Sequence, residues 1–188
     1  MNITALCFAF IAIVVAILYI MLISCRNRVQ EAMADVDVQL KKRYDLIPNM
    51  LNMAAKFMAH EKKLMTELTD LRTKAMQNNF AANPQEKMEL ENMLQKKLQE
   101  FKLSVENYPD LKSNQTMMTA MQSMNEVEEH IAAARRFYNT NVRELKNLVD
   151  IFPSSLIAKL LHISYNKTPF FEAAENERAP IDSRQYFE

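Results

Sequence analysis

The chain has no glycine. At the usual frequency of about 7%, its 188 residues would hold roughly a dozen. Glycine reaches positive φ and lets backbones approach closely at no steric cost. Without it there is no P-loop, no dinucleotide-binding fingerprint, no EF-hand glycine and no nucleophile elbow of the usual kind. Tight primed hairpins lose their preferred residue. A long helix needs glycine only near its caps. The expected fold class is therefore all-α.

Charge narrows the class further. Acidic and basic residues balance at 23 each, and they are interleaved as on solvated helix faces. Phosphate binding needs a basic surplus, so no nucleic acid partner is expected. No charged side chain precedes Arg26. Ile3 to Ser24 is instead a run of 22 mostly apolar residues, against about 20 needed to cross a bilayer as a helix. A cleavable signal would open with a basic stretch and carry a shorter apolar core. The reading is an uncleaved single-pass anchor, with residues 3–24 in the lipid bilayer. Arg26 and Arg28 follow the span directly and are the expected membrane-interface residues, beside anionic headgroups. With no Lys or Arg before the span, the positive-inside rule puts the N-terminus out and the remainder in the cytoplasm. Leu22-Ile23-Ser24-Cys25 offers an alternative. It resembles a lipobox, which would make Cys25 a lipidated N-terminus and export the domain. Cys7 and Cys25 are the two cysteines, and they form no disulfide framework.

Beyond residue 25 the apolar period is helical. Val29, Val36, Met50, Phe57, Leu64 and Leu71 recur at one heptad position, with Arg43 as the exception. Met33, Leu40, Ile47, Ala54, Leu68 and Ala75 recur at the other, with Glu61 as the exception. This spacing predicts one long helix to about residue 77, kinked or interrupted at Pro48. Residues 78–83 read as a loop. Asn83, Pro84 and Glu86 then read as a helix start, with a capping side chain, Pro at the first position and Glu at the third. Leu90, Leu94, Leu98, Phe101, Val105 and Tyr108 mark one face of this second helix, which Pro109 interrupts. A third helix is expected from near Ser113 to about Ile151. Its seam contains Met117, Met124, Ile131, Tyr138, Val142 and Leu145, with Glu128 and Arg135 among them. Pro153 stops it, and 155–162 can form a short fourth helix.

The expected architecture is an N-terminal transmembrane helix followed by an elongated up-down bundle of the four-helix type. The anchor covers 1–25, the bundle 26–163, and a tail 164–188 packs on the bundle through Phe170, Phe171, Tyr186 and Phe187. The four seam charges, Arg43, Glu61, Glu128 and Arg135, are candidates for a structural polar seam, because buried charges need partners. Alternatively they sit at seam edges and reach water. Asn27, Glu31 and Asp35 lie four apart on one helix stripe, while Asp37 points elsewhere. Flanked by Arg28 and close to the membrane, this stripe suits docking of another membrane protein's juxtamembrane segment.

Other chemistry finds little support. His60-Glu61 could open a zinc-protease helix motif, but the second His position is Leu64. His130 and His162 are isolated. Of the 14 Met, those at 50, 117, 121 and 124 fall on seams as flexible fillers and not as a copper set. No nucleophile, base and orienting group can be picked out. Neither a metal nor a cofactor is expected.

Residues 25–61 carry a family likeness. Arg26-Asn27-Arg28-Val29 is followed by Glu31-Ala32, then by Asp35, Asp37, Gln39-Leu40 and Arg43. Asp45-Leu46-Ile47-Pro48-Asn49 and the His60-Glu61 pair complete the block. Further matches are Tyr108-Pro109, Ala134-Arg135, Tyr138-Asn139, Phe152-Pro153 and Phe171-Glu172. This set resembles the LemA family of bacterial membrane proteins, although Met33 stands where that family usually has Trp. The resemblance implies one transmembrane helix, a helical bundle and no established enzymatic activity. With the topology above, it places the chain in a bacterial inner (cytoplasmic) membrane. The expected role is a non-enzymatic adaptor or scaffold binding a membrane-proximal protein, or its own copies as a homo-oligomer. The partner surface expected for that role is Asn27, Arg28, Glu31, Asp35, Asp37, Gln39, Asp45 and Asn49. The alternative is a regulatory or sensing subunit of an envelope enzyme such as a membrane protease. Single cysteines at Gln77 and Asn166, in a background lacking Cys7 and Cys25, test the topology. They should resist an impermeant maleimide in intact cells and react after lysis; labelling in intact cells would put the bundle outside.

Overall fold

The computed structural model describes residues 3–80, 82–166 and 168–172. Six helices and no strand occur among them. The first, α1, runs from Ile3 to Ala54 without a break. Its N-terminal part is long and apolar enough to cross a membrane. That part is almost bare of protein, with Phe8 75% and Phe10 69% exposed. Such surface is compatible with membrane anchoring. From Cys25 onward α1 buries a narrow stripe that includes Val29, Val36, Leu40, Ile47 and Met50.

The chain does not continue as one helix to residue 77. It turns through 55–61, with Met58 fully buried at the corner, and returns as α2 (Lys62–Gln77). The turn holds neither Gly nor Pro, so local sequence offers no breaker there. The reversal is tertiary in origin: a straight helix would leave Leu68 and Ala75 in water, and folding back buries both. Phe57, expected on the seam, is left 39% exposed at the corner.

Pro48 lies inside α1 and does not end it. Proline removes the N–H that would bond the carbonyl four residues back, here that of Tyr44. The Nε of Arg72 on α2 donates to that carbonyl at 2.7 Å. A neighbouring helix thus supplies the missing donor.

The helix α3 (Pro84–Val105) starts as its sequence predicts. The Asn83 side chain accepts from Glu86 N at 3.3 Å and donates to the Glu86 carboxylate at 2.9 Å. A single turn, α4 (Pro109–Lys112), buries Leu111 and leads into α5 (Gln115–Asp150). Asn114 caps α5, accepting from Thr116 N and Met117 N. The last helix, α6 (Ser154–Leu160), ends in a left-handed residue, His162, with φ of 54°. Ile163 N then bonds Ala158 O at 2.9 Å and His162 N bonds Lys159 O at 3.2 Å. This is the closure glycine usually makes, and a chain without glycine makes it with His.

Cross-helix contacts fix the topology. Cys25 Sγ meets Asn141 O at 4.0 Å and Arg43 meets Glu128, so α5 runs antiparallel to α1. Lys102 bonds Asn125 at 2.7 Å and Arg135 bonds Gln95 at 3.4 Å, so α3 and α5 are antiparallel too. The order is up-down-up-down. The α2–α3 hairpin covers the half of α1 that ends at Ala54. Towards the apolar segment α1 and α5 continue as a two-helix stalk. The chain after α6 lies against the core, with Tyr165, Phe170 and Phe171 packed on it. The expected contacts of Tyr186 and Phe187 lie outside the described residues.

Candidate functional site

Two places draw together the functional candidates. The first is an ionic cluster where α1, α3 and α5 meet. The helix α3 buries Lys87, Met88, Glu91, Leu94, Leu98, Phe101 and Val105, and all but Met88 follow one another at the 3-4 spacing of a seam. Glu91 and Lys87 therefore point inward, while Leu90 is half-buried. Both side chains of the pair Arg43–Glu91 are completely buried. Arg43 Nη2 donates to one Glu91 oxygen, and the Tyr44 hydroxyl donates to the other. Lys87 Nζ lies 3.1 Å from Glu91 and donates to Tyr44 Oη at 2.8 Å and to the carbonyl of Ala75. Arg43 Nη1 reaches Glu128 on α5 at 3.3 Å. The buried carboxylate of Glu91 thus has two cations, Arg43 and Lys87, and Arg43 has a second, partly exposed carboxylate in Glu128, which is the pairing that burial of charge requires. Burial, followed by the charge of Glu91, drives the Tyr44 hydroxyl far above the ordinary tyrosine range, with Arg43 opposing. Tyr44 therefore keeps its proton and donates a hydrogen bond to Glu91.

The four charges expected on the seams divide. Arg43 is fully buried and doubly paired, and Glu128 is its partly exposed second partner. Glu61 lies at the start of α2, half-buried, and forms no ion pair among the described residues. Arg135 stands between these cases. Its Nη1 donates to Gln95 at 3.4 Å and its guanidinium lies 5.2 Å from the Phe171 ring centre. Its Nε and Nη2 are enclosed with no acceptor among the described residues. Burial lowers its pKa, the like charge of Arg43 lowers it further, and Glu91 and Glu128 oppose both. Arg135 lines a pocket of about 290 Å³ with Gln95, Glu128, Arg136, Asn139 and Phe171.

Phe171 is held in place by Asn139, whose side-chain amide accepts from Phe171 N at 2.9 Å and donates to its carbonyl at 2.8 Å. The Phe171 ring meets Tyr138 and Phe80 edge-on, at 5.3 and 5.6 Å. Residues far apart in the chain, Arg135, Tyr138-Asn139 and Phe171, thus form one contact.

The second place is the stalk face of α1. Asn27, Arg28, Glu31 and Asp35 are exposed. Arg28 comes within 3.8 Å of Glu144 on α5. Asn27, Glu31 and Asp35 make no side-chain hydrogen bond or ion pair among the described residues. Arg26 is exposed at the end of the apolar segment. The rest of the expected surface is dispersed. Asp45 pairs with Lys41 at 2.6 Å, and Asn49 is exposed nearer the far end of α1. Gln39 turns inward, with its Oε1 enclosed and without a partner among the described residues. Asp37 keeps an exposed surface, yet its carboxyl pKa is raised by neighbouring protein, Lys87 opposing and Glu91 adding. Asp37, Gln39, Asp45 and Asn49 therefore do not extend the stripe of Asn27, Glu31 and Asp35. No group of three or more His, Cys, Asp or Glu with metal-binding geometry occurs among the described residues.

Tyr44, Lys87, Glu91 and Phe171 were not on the expected polar seam. The signal for two of them was present: stepping back from Phe101 and Leu98 at the seam spacing leads to Glu91 and Lys87. Nothing local in the sequence marks Tyr44 or Phe171 as their partners.

Removing Arg43 alone should be severe. Arg43→Met leaves Glu91 buried beside fewer donors, and a loss of about 3–5 kcal/mol is expected, read by urea denaturation. Arg43→Met with Glu91→Leu should lose less than the sum of the single variants. Tyr138→Phe should behave oppositely. Its hydroxyl is enclosed without a partner among the described residues, so its removal should leave neutral-pH stability unchanged or raised. Burial pushes the Tyr138 hydroxyl from 10.0 up to about 12. The folded state then keeps a proton that the unfolded chain releases, so stability is full below pH 10.0 and falls towards about pH 12. Tyr138→Phe should flatten that part of the stability–pH curve.

Comparison with known proteins places these residues in a family frame. The family model described as LemA family matches residues 32–182. Protein LemA of Metamycoplasma hominis is 22% identical over 160 residues, covering 85% of this chain and 71% of that protein.

Proposed function

This chain belongs to the LemA family, and on that premise we propose that it is a membrane-anchored, non-enzymatic adaptor. Its apolar segment holds it in the bacterial inner membrane, with the N-terminus out and the bundle on the cytoplasmic side. The stalk then presents the exposed face of α1 to a membrane-proximal protein or to another copy of itself. The observation that carries this reading is the continuity of α1 from Ile3 to Ala54. A helix unbroken from apolar segment to bundle transmits position; a flexible linker would not. At ~1.5 Å per residue, the part beyond Cys25 carries the bundle corner about 45 Å away.

The exposed stripe of Asn27, Glu31 and Asp35 supports the choice of face. Its carboxylates are free of ion pairs among the described residues, and free charges beside a membrane suit selection of a basic partner segment. The ionic cluster around Arg43 supports a structural role for the core, because Arg43 Nη1 and Nη2, Tyr44, Lys87, Glu91 and Glu128 take one another as partners, with only Arg43 Nε left enclosed without one among the described residues. The test is photo-crosslinking in intact membranes from probes at Glu31 and Asp35. A discrete adduct, either with another protein or with a second copy, is expected. Glu31→Lys with Asp35→Lys should abolish it while leaving the melting temperature within about 2 °C, because exposed substitutions are worth less than about 0.5 kcal/mol. No adduct from either probe would sink the proposal.

A further inference from the structure

We infer that α6 and the turn before it form a second membrane contact, lying in the lipid interface beside α1. This inference rests on the reading that the apolar part of α1 is in a bilayer, but not on the adaptor role. Its origin is the register of the stalk. Cys25 meets Asn141 and Arg43 reaches Glu128. Continuing α5 from these pairs to Asp150, its last residue, brings its end level with about residues 16–22 of α1 at equal helical rise. The chain then enters α6, which packs against α1. Leu22 of α1 and Ala158 of α6 are both completely buried, yet neither belongs to the continuous core that begins at Cys25. Both lie outside that core on the two helices that pack together here, Leu22 within the apolar segment itself. Val14 and Leu18, one and two turns further into that segment, are half-buried on the same stripe.

The outer face of this element is apolar. Ser154 and Ala158 face inward. Phe152 is 74% exposed, Leu160 77% and Leu156 61%, and Ile151 is exposed beside them. A soluble helix of this length would turn polar side chains outward. Here the outward residues match the bare surface of α1 that they adjoin, so one apolar surface continues from one helix to the other. The charges at its border fit an interface. Arg26, Arg28, Arg143, Lys146 and Lys159 are exposed around it. Of the acids at this level, Glu144 pairs with Arg28, Asp150 accepts from the Tyr165 hydroxyl at 3.3 Å, and Glu31 alone is exposed without a partner among the described residues. The excess is cationic, which suits anionic headgroups. The occupant is therefore lipid.

The experiment uses the full chain in vesicles of phosphatidylethanolamine and phosphatidylglycerol. Single cysteines replace Leu156, Leu160, Ile13 or Met93 in a Cys7→Ser, Cys25→Ala background, each carrying an environment-sensitive NBD probe. Nitroxide lipids labelled near the headgroup or deep in the chain serve as quenchers. The expected result is blue-shifted emission at Leu156 and Leu160, with loss of intensity to the shallow nitroxide. Ile13 should lose intensity to the deep nitroxide and Met93 to neither. Quenching at Ile13 with none at Leu156 and Leu160 would overturn the interfacial contact and leave the anchor standing. No quenching at Ile13 either would overturn the anchor and the contact with it. Lipid-independent spectra with disulfide-linked dimers of unlabelled Leu156→Cys would assign the face to a second copy and also overturn it.

Discussion

The guanidinium of Arg43 touches three of the four long helices at once. It sits on α1, donates to Glu91 on α3 and reaches Glu128 on α5. Through Tyr44 and Lys87 the same cluster extends to the carbonyl of Ala75 on α2. Apolar packing drives the helices together but tolerates sliding by a turn, because one leucine or methionine fits much like another. A buried charge does not tolerate it, since a displaced carboxylate would leave a cation unpaired. The cluster thus joins the α1–α5 pair to the α2–α3 hairpin in one register. The stalk, the tail contact at Phe171 and the height of α6 beside the apolar segment all depend on that register.

A second constraint is a proline inside α1 in a chain without glycine, and other residues meet both demands. Pro48 would ordinarily strand the carbonyl of Tyr44, and Arg72 bonds it from the neighbouring helix. The end of α6 needs a left-handed residue, and His162 adopts it. The reversal after Ala54 proceeds with Met58 buried in the corner. The bond to the Tyr44 carbonyl and the buried Met58 corner depend on a neighbour being in place, whereas the His162 closure is local to α6. The bundle is therefore more cooperative than its simple helical pattern implies.

Much of the fold was legible. The apolar segment, the α3 start at Asn83-Pro84, the break at Pro109 and the end of α5 before Pro153 each follow from a local rule of capping, periodicity or proline chemistry. The reversal at 55–61 was not legible, because no residue there forbids a helix. The site was legible in part. Arg43 and Glu128 are visible as charges out of pattern, and Glu61 is equally visible and plays no part in the cluster. A heptad marks which face a residue is on, and it does not say whether that face is covered at that height. The exposed stripe of Asn27, Glu31 and Asp35 follows from spacing, whereas Gln39 turns inward beside it because the helical face rotates.

By itself the sequence determined that the chain is helical, that its start is apolar enough for a bilayer, and where most helices begin and end. Those properties are local: they depend on side-chain polarity, cap chemistry and period within a few turns. Only the tertiary structure decided that Arg43 pairs with Glu91, that Arg72 rescues the helix at Pro48, that Asn139 holds Phe171, and that α6 stands beside the apolar segment. Each of these joins residues tens of positions apart, and such a contact exists only once packing has set the heights and rotations of the helices.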